Sequence, residues 1–224
     1  MKTTDRKGHI MLDKRLTDLR SKKNPKARIK IMSGHFATQN SHVNTYIDMS
    51  TVKTRHNNAR ETAYTLADEY MTNTMIDTIV CLKNMQVVGT FMAERLADSN
   101  NMSLSAGNNI SIVTPEFDAT GQIFFRDSNE RMIRGKQVLI LTDSMSTGAM
   151  ARQAIESVLY YGGTVCGIAS VFSGITKVAG LEVKTIFTNS DLPSYHAYSP
   201  HECPMCKNEE PLDGLINAFG YTKL

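Results

Sequence analysis

Four apolar residues in a row, Val-Leu-Ile-Leu at positions 138–141, are followed directly by a polar segment that ends in Gly148. An uninterrupted apolar run of this length is typical of a strand that is buried on both faces, as in a parallel sheet. The residues after Gly148 predict a helix that continues through Tyr161. This part of the chain therefore reads as a strand, a short loop and a helix, and such units build α/β folds.

The loop between this strand and helix is suited to binding a phosphate group. A short turn of Ser and Thr closed by Gly148 directs backbone N–H groups inward, and Ser146 and Thr147 add hydroxyl donors. The helix offers further unpaired N–H groups and the positive end of its dipole. Asp143, at the carboxyl end of the strand, would accept hydrogen bonds from sugar hydroxyls. Spacing alone leaves open the alternative that Ser146 or Thr147 only caps the helix.

The same stretch resembles the 5-phosphoribosyl 1-diphosphate (PRPP) motif of the type I phosphoribosyltransferases. In that motif four hydrophobic residues precede two acids, two variable residues and Thr-Thr-Gly or a close variant. Here Thr142 stands at the first acid and Asp143 at the second, so one of the acids that hold the ribose hydroxyls is missing. The resemblance implies that the 5'-phosphate is bound by five residues: Ser144, Met145, Ser146, Thr147 and Gly148.

The rest of the chain predicts a type I phosphoribosyltransferase-like α/β fold, with a mostly parallel sheet flanked by helices and a small hood formed by the N- and C-terminal segments. We predict helices at 11–21, 58–73, 87–96 and 212–221, and strands at 29–33, 75–82, 110–114, 122–126, 164–172 and 183–188. The predicted units are a hood segment at 1–55, a core at 56–190, and a tail at 191–224 that packs on the hood or on a partner subunit.

Further landmarks resemble the orotate phosphoribosyltransferase branch of the family. Residues 33–38 with the later Tyr-Ile-Asp at 46–48 resemble its hood, although a hairpin with a Gly turn is the alternative. Lys83 follows a strand where the family loop contacts the diphosphate, and an exposed lysine at a strand end is the alternative. Arg126 matches the first edge of the family's mobile lid.

The lid and the base pocket depart from the family pattern. The loop that ends at 135–136 is much shorter than the family lid and keeps only Arg131 and Arg134 as cations, so a surface turn is the alternative. Ser173 stands where the orotate enzymes carry the arginine that holds the carboxylate of the base, and Lys177 is a candidate replacement. The resemblance implies catalytic roles for Asp143, Arg126 and Arg131, and substrate binding by Lys83 and Ser173.

The implied activity is transfer of the phosphoribosyl group of PRPP, with Mg²⁺, to a nucleobase. Orotate is the first choice and would give orotidine 5'-monophosphate and diphosphate, with the enzyme acting as a homodimer. Two alternatives stay open. One is a catalytically degenerate regulatory protein of the same fold that binds PRPP or a nucleotide, and the other is an enzyme for a different base.

Composition excludes several other classes of protein. The 224 residues are 41% hydrophobic and carry 25 basic against 22 acidic side chains, a net charge of +3 that is too mild to indicate nucleic-acid binding. No apolar run approaches the ~20 residues that span a bilayer, and the N-terminus is polar, so we expect a cytoplasmic protein without membrane contact. Cys81 and Cys166 lie in apolar runs and are expected to be reduced thiols.

The tail contains a Cys-x-x-Cys pair, Cys203 and Cys206, with His201 close by. Two such thiolates supply half of a tetrahedral zinc site, which His201, His196 or a partner chain would complete. A reduced pair exposed on an extended tail is the alternative.

Overall fold

The protein is described from a computed structural model that covers residues 15–39, 41–217 and 219–224. Within these ranges no helix combines the length and the apolar character needed to cross a membrane.

The first described elements are three strands: β1 (Thr17–Arg20), β2 (Arg28–Ala37) and β3 (His42–Asp48). β2 pairs antiparallel with both of the others. The predicted helix at 11–21 is wrong where it can be checked, because residues 17–20 pair with β2 as a strand while Leu19 packs on the core. Its residues 11–14 lie outside the described part of the chain.

The central part of the chain alternates strands and helices. Its elements are α1 (Ser50–Thr54), α2 (His56–Ala67), β4 (Thr78–Cys81), α3 (Gln86–Ala97), β5 (Ser111–Val113), β6 (Glu116–Phe117), β7 (Ile123–Phe124), α4 (Asp127–Glu130), β8 (Gln137–Met145), α5 (Ala149–Tyr160), β9 (Thr164–Ser173), β10 (Lys177–Val178) and β11 (Leu181–Thr188). Six strands form the core sheet in the order β10-β11-β9-β8-β4-β5. All neighbours in it are parallel except β10 and β11, which confirms the predicted α/β fold.

The apolar run in β8 is explained by helices on both faces of the core sheet. Leu139 and Leu141 belong to the apolar cluster that contains the buried apolar side chains of α2 and α3. Val138 and Ile140 belong to a second cluster, with the buried apolar side chains of α5. Because successive residues of a strand point to opposite faces, an element covered on both sides must be apolar at every position.

The last part of the chain adds β12 (Ala197–Tyr198), α6 (Pro204–Lys207), β13 (Gly214–Asn217) and β14 (Gly220–Lys223). These strands join the N-terminal ones in a hood sheet of order β12-β3-β2-β13-β14, with β1 also on β2. The prediction that both ends of the chain build the hood is confirmed. The boundaries at residues 55 and 190 stay a prediction.

The predicted helix at 212–221 is wrong, because this segment is the hairpin β13–β14. Ile216 and Tyr221 face each other across the hairpin and pack against the cluster of Phe36 and Tyr46. β13 also runs parallel to β2, so the sheet edge of the distant N-terminal segment decides its conformation.

Candidate functional site

A cavity of about 660 Å³ lies between the hood sheet and the carboxyl end of β8. Its wall includes all residues from 142 to 151, which covers the strand end, the loop and the start of α5. Side chains from the hood and the tail, among them Tyr46, Tyr195 and Phe219, close the other side. The carboxyl ends of parallel strands are the usual ligand position in open α/β sheets.

The turn before α5 depends on Gly148. Its φ of 75° lies in the left-handed region, and a Cβ there would come within 2.7 Å of Ile175 and 2.8 Å of Val178. Gly148 is the N-cap of α5, and no side chain caps the helix; Thr147 Oγ1 reaches only the Ala149 amide, at 3.4 Å. The amides of Ser146, Thr147 and Gly148 donate to no acceptor in the described part of the chain, so they are available to an anion in the cavity.

Asp143 lies between two lysines at the end of β8. Its Oδ2 is 2.7 Å from Lys53 Nζ and its Oδ1 is 3.2 Å from Lys83 Nζ. Ser144 Oγ donates to the same carboxylate at 2.9 Å, and Lys83 Nζ donates to the Ser144 carbonyl at 2.9 Å. The side chain of Asp143 is 9% exposed and that of Lys53 is 12% exposed, so this ion-pair network is nearly desolvated.

The charges of the lysines decide the ionisation of Asp143. Burial acts to raise the pKa of this carboxyl, but Lys83 and Lys53 together with the hydrogen bonds from Lys53 and Ser144 outweigh it and hold the pKa below its ordinary value. Asp143 is therefore a carboxylate at neutral pH. Two ammonium groups against one carboxylate leave a net charge of +1 beside the turn, which favours an anionic ligand.

Lys83 reaches Asp143 from a strained loop between β4 and α3. Lys83 and the following Asn84 have φ values of 50° and 62°, and residues other than Gly rarely adopt this left-handed backbone conformation. Such strain persists where the surrounding structure over-determines it, and it is concentrated at functional sites. The loop directs Lys83 toward β8, so this lysine is not the freely exposed residue of the alternative interpretation.

Comparison with known proteins agrees with this geometry. No family model matches the chain. The orotate phosphoribosyltransferase of Chlorobaculum parvum is 33% identical over 81 residues, which are 35% of this chain and 39% of that protein. The orotate phosphoribosyltransferase of Sulfurimonas denitrificans is 33% identical over 87 residues, 34% of this chain and 43% of that protein. The chain thus spans about two fifths of the length of the curated relatives it matches.

Solved structures extend the likeness to most of the chain. A phosphoribosyltransferase from Corynebacterium diphtheriae superposes with a TM-score of 0.53 at 20% identity, covering 73% of this chain and 90% of that one. The orotate phosphoribosyltransferase of Mycobacterium tuberculosis gives 0.50 at 19% identity, with 72% and 91% covered. UMP synthase of Leishmania donovani gives 0.54 at 17% identity, with 80% and 36% covered. The chain has the type I phosphoribosyltransferase fold. In sequence it resembles the orotate phosphoribosyltransferases.

Lys53 is a charged residue of this cavity that the sequence analysis missed. It lies in α1, ninety residues before Asp143 in the chain, and α1 follows the hood strand β3. Nothing in its local sequence separates it from the other lysines. Its contact with Asp143 follows only from the packing of α1, next to the hood, against the end of β8 in the core sheet.

Two predicted catalytic arginines lie away from the cavity. Arg126 makes a bidentate ion pair with Glu116 on the hairpin β6–β7, with both N–O distances at 2.7 Å, and its guanidinium lies over Phe124. Arg131 is exposed, and neither arginine lines the cavity in the described part of the chain. The neighbouring Ile133 is fully buried, so the segment is anchored on the core in the manner of a surface turn.

The position expected to hold the carboxylate of the base also lies outside the described cavity wall. Ser173 is buried at the end of β9, opposite Met145, where its Oγ donates to the Ile175 carbonyl at 2.6 Å. Lys177, the candidate replacement cation, is exposed in β10. The predicted phosphate-binding residues 144–148, in contrast, all line the cavity together with Asp143 and Lys83.

The two tail cysteines meet two histidines of the hood. Cys203 is the N-cap of α6 and Cys206 lies within it. The two cysteine sulfurs lie close to one ring nitrogen of His35 and one of His42. These four atoms are all within 4.8 Å of one another. His201, the third predicted ligand, is exposed and is not part of this group. The sequence gives no sign of the pairing, because His35 and His42 lie more than 160 residues before the cysteines.

Proposed function

We propose that this protein transfers the 5-phosphoribosyl group of PRPP to a nucleobase with release of diphosphate, and that the base is orotate. The observation that carries the proposal is the Asp143 carboxylate held between Lys53 and Lys83, directly beside an anion-binding turn. The names of the curated relatives support orotate as the base.

The turn at 144–148 would bind the 5'-phosphate through its backbone amides and the Ser146 and Thr147 hydroxyls. Asp143 would then lie beside the ribose and accept hydrogen bonds from its hydroxyl groups. Lys83 would bind the diphosphate. Its ammonium group lies 3.2 Å from Asp143, which would hold the ribose, and the strained backbone at residues 83–84 directs the side chain to this position. Each contact pairs an anionic or hydroxyl group of PRPP with a partner of suitable charge.

The transfer breaks the C1'–oxygen bond, whose electron pair leaves with the diphosphate, and forms a C1'–nitrogen bond to the base, whose N–H proton passes to the diphosphate or to solvent. Charge develops on the leaving oxygen and on the sugar, so fixed charges and exact positioning can carry catalysis without a covalent nucleophile. Lys83 would stabilise the diphosphate, and Asp143 would hold the ribose and stabilise the positive charge that develops on it. Arg126, paired with the exposed Glu116 of the hairpin β6–β7, and Arg131, exposed at the end of α4, would contribute only after residues 126–135 had moved to the cavity, so neither has a part in this scheme as the structure stands.

Magnesium would enter as a complex with PRPP. Asp143 is the acidic residue in the described wall of the cavity, and both of its oxygens already contact lysine ammonium groups. Asp143 is thus the residue of this wall that would contact the ion, while substrate phosphate groups and water would supply most of its ligands, as is usual for Mg²⁺. The ion would neutralise part of the diphosphate charge.

Lys53 is our candidate for the carboxylate of orotate. Ser173 offers no charge, and Lys177 lies outside the described wall, whereas Lys53 is nearly buried in it and already binds a carboxylate. When Asp143 engages the ribose, the Lys53 ammonium group would exchange that carboxylate for the carboxylate of the base. We also propose a homodimer, which light scattering of the purified protein would test.

A coupled assay of diphosphate release tests the function. PRPP and Mg²⁺ are supplied with orotate, uracil, hypoxanthine or adenine, and Asp143→Asn serves as the impaired control. Turnover with orotate that is strongly reduced in Asp143→Asn supports the proposal. Turnover with another base alone would transfer the proposal to that base, and no turnover with PRPP still raising Tm would indicate a regulatory PRPP-binding protein.

A further inference from the structure

We propose that His35, His42, Cys203 and Cys206 form a structural zinc site that fastens the tail of the chain to the hood. The ligand atoms are His35 Nε2, His42 Nδ1 and the two cysteine sulfurs. This inference depends on the fold and is independent of the proposed activity.

Four of the six distances between the ligand atoms are close to those of a tetrahedral site, and the other two are below 4.8 Å. With Zn–N near 2.05 Å and Zn–S near 2.3 Å, tetrahedral angles place two nitrogens about 3.3 Å apart and a nitrogen and a sulfur about 3.6 Å apart. The two ring nitrogens are 3.1 Å apart, and His35 Nε2 is 3.6 Å from each sulfur. Cys206 Sγ is 3.2 Å from His42 Nδ1. A tetrahedral S₂N₂ set is typical of zinc.

A backbone carbonyl fixes the orientation of His35 for metal binding. His35 Nδ1 lies 2.9 Å from the Glu210 carbonyl oxygen, which can only accept a hydrogen bond. The proton of the neutral ring therefore sits on Nδ1, and Nε2 presents a lone pair to the centre of the group. Metal-bound histidines commonly have such an outer partner.

Hydrogen bonds alone account poorly for this arrangement. His35 Nε2 has three polar neighbours within 3.6 Å, and a single ring nitrogen makes one hydrogen bond to them at most. His35 is 3% exposed and Cys203 is fully buried, so water can reach the group only from the side of Cys206 and His42. Two thiolates and two neutral imidazoles around Zn²⁺ form a neutral unit, which suits a buried position.

The site would join segments that are far apart in the chain. His35 lies near the end of β2 and His42 is the first residue of β3, so they lie on either side of the turn that joins these strands. Cys203 is the N-cap of α6, and Cys206 lies within that helix. Seven residues after Cys206, the Asp213 amide donates to the His35 carbonyl at 2.7 Å, and β13 starts at the next residue. The hairpin β13–β14 then supplies Ile216, Asn217, Phe219 and Gly220 to the cavity wall. Zinc would therefore hold the tail that closes the cavity.

Metal analysis of the full-length protein, purified without chelator and without a metal-affinity tag, tests the site. We expect one zinc per chain and an X-ray absorption spectrum with two sulfur and two nitrogen neighbours. Removal of zinc by a chelator should lower Tm by about 10 °C or more, because structural zinc contributes folding free energy directly. These measurements need no variant and no turnover, so they stand apart from the test of the activity.

Variants assign the ligands. Cys206→Ser and His42→Asn remove the more exposed ligands and should reduce zinc content to well below half of the wild-type value, whereas Cys166→Ser and His201→Gln should retain it. Zinc-free protein whose Tm is unchanged when zinc is added would overturn the proposal. So would zinc that is lost in His201→Gln but retained in His42→Asn.

Discussion

Replacing Asp143 by Asn removes the charge that compensates Lys53 and Lys83 while keeping the shape of the side chain. At an effective dielectric constant of 20, charges separated by 2.7 and 3.2 Å attract by about 6 and about 5 kcal/mol before desolvation is counted. Desolvation of the three groups cancels much of that attraction. Loss of one partner of such a buried pair typically costs about 3–5 kcal/mol, because the other charges stay buried without compensation.

We expect the lower end of that range for Asp143→Asn, since the amide oxygen still accepts hydrogen bonds and Lys83 is 26% exposed. A loss of about 3 kcal/mol corresponds to a fall in Tm of about 6–12 °C for a chain of this size. Urea unfolding monitored by circular dichroism gives the free energy, and calorimetry gives Tm. Activity with PRPP and orotate should fall in the same variant.

The matched control is Asp68→Asn. Asp68 pairs with Arg95 at 3.2 Å, but its side chain is 54% exposed, and such surface pairs contribute about 0–1 kcal/mol. If both variants lose the same small amount of stability, Asp143 is not the desolvated charge centre described above. If Asp143→Asn turns over PRPP at the wild-type rate, its role in holding the ribose is refuted.

Further predictions concern the turn, the hood lysine, acid stability and a core thiol. Gly148→Ala should lower Tm by several degrees more than Gly121→Ala and weaken phosphate binding, because both residues have positive φ but only Gly148 has side chains within 3 Å of the new Cβ; calorimetry and titration with ribose 5-phosphate measure this. Lys53→Met should raise KM for PRPP or orotate about tenfold, whereas Lys22→Met, at a surface pair with Asp191, should not. The pKa of Asp143 is lowered in the folded state, so the carboxylate contributes its full stabilisation above the unfolded pKa of about 3.9 and loses it as pH falls through the lower folded pKa. The difference in unfolding free energy between wild type and Asp143→Asn should therefore shrink only in that acidic range. Burial raises the pKa of Cys81 to about 12, so native protein at pH 8 should leave this thiol unmodified by iodoacetamide, as mass spectrometry would show.

The core sheet was predictable because its signals are local. The apolar run at 138–141 indicates that helices cover both faces of β8. The polar loop ending in Gly148 indicates the turn that precedes the next helix. Strand, loop and helix follow one another within 25 residues, so neighbouring sequence contains the information. The same holds for β4 and α3.

The hood was harder to predict because distant segments determine its structure. The apolar spacing at 212–221 reads as a helix, yet β13 pairs with β2 almost 180 residues away, and that pairing imposes the strand. For the same reason, sequence patterns did not predict the roles of Lys53, His35 and His42. Their partners are 90 to 171 residues away, and no local spacing indicates them.

Thr142 shows how a departure from the family pattern changes the electrostatics of the site. Thr142 is buried and pairs with Ser170 on β9, so the position where the motif it resembles has its first acid lies within the core sheet. Two acids would balance the two lysines, whereas Asp143 alone leaves the site with a net charge of +1. Under the proposed function, such a site would gain attraction for the phosphates of PRPP and would lose a partner for the ribose hydroxyls and for magnesium. Binding should therefore depend more on charge, and hence more on ionic strength, than in a site with both acids.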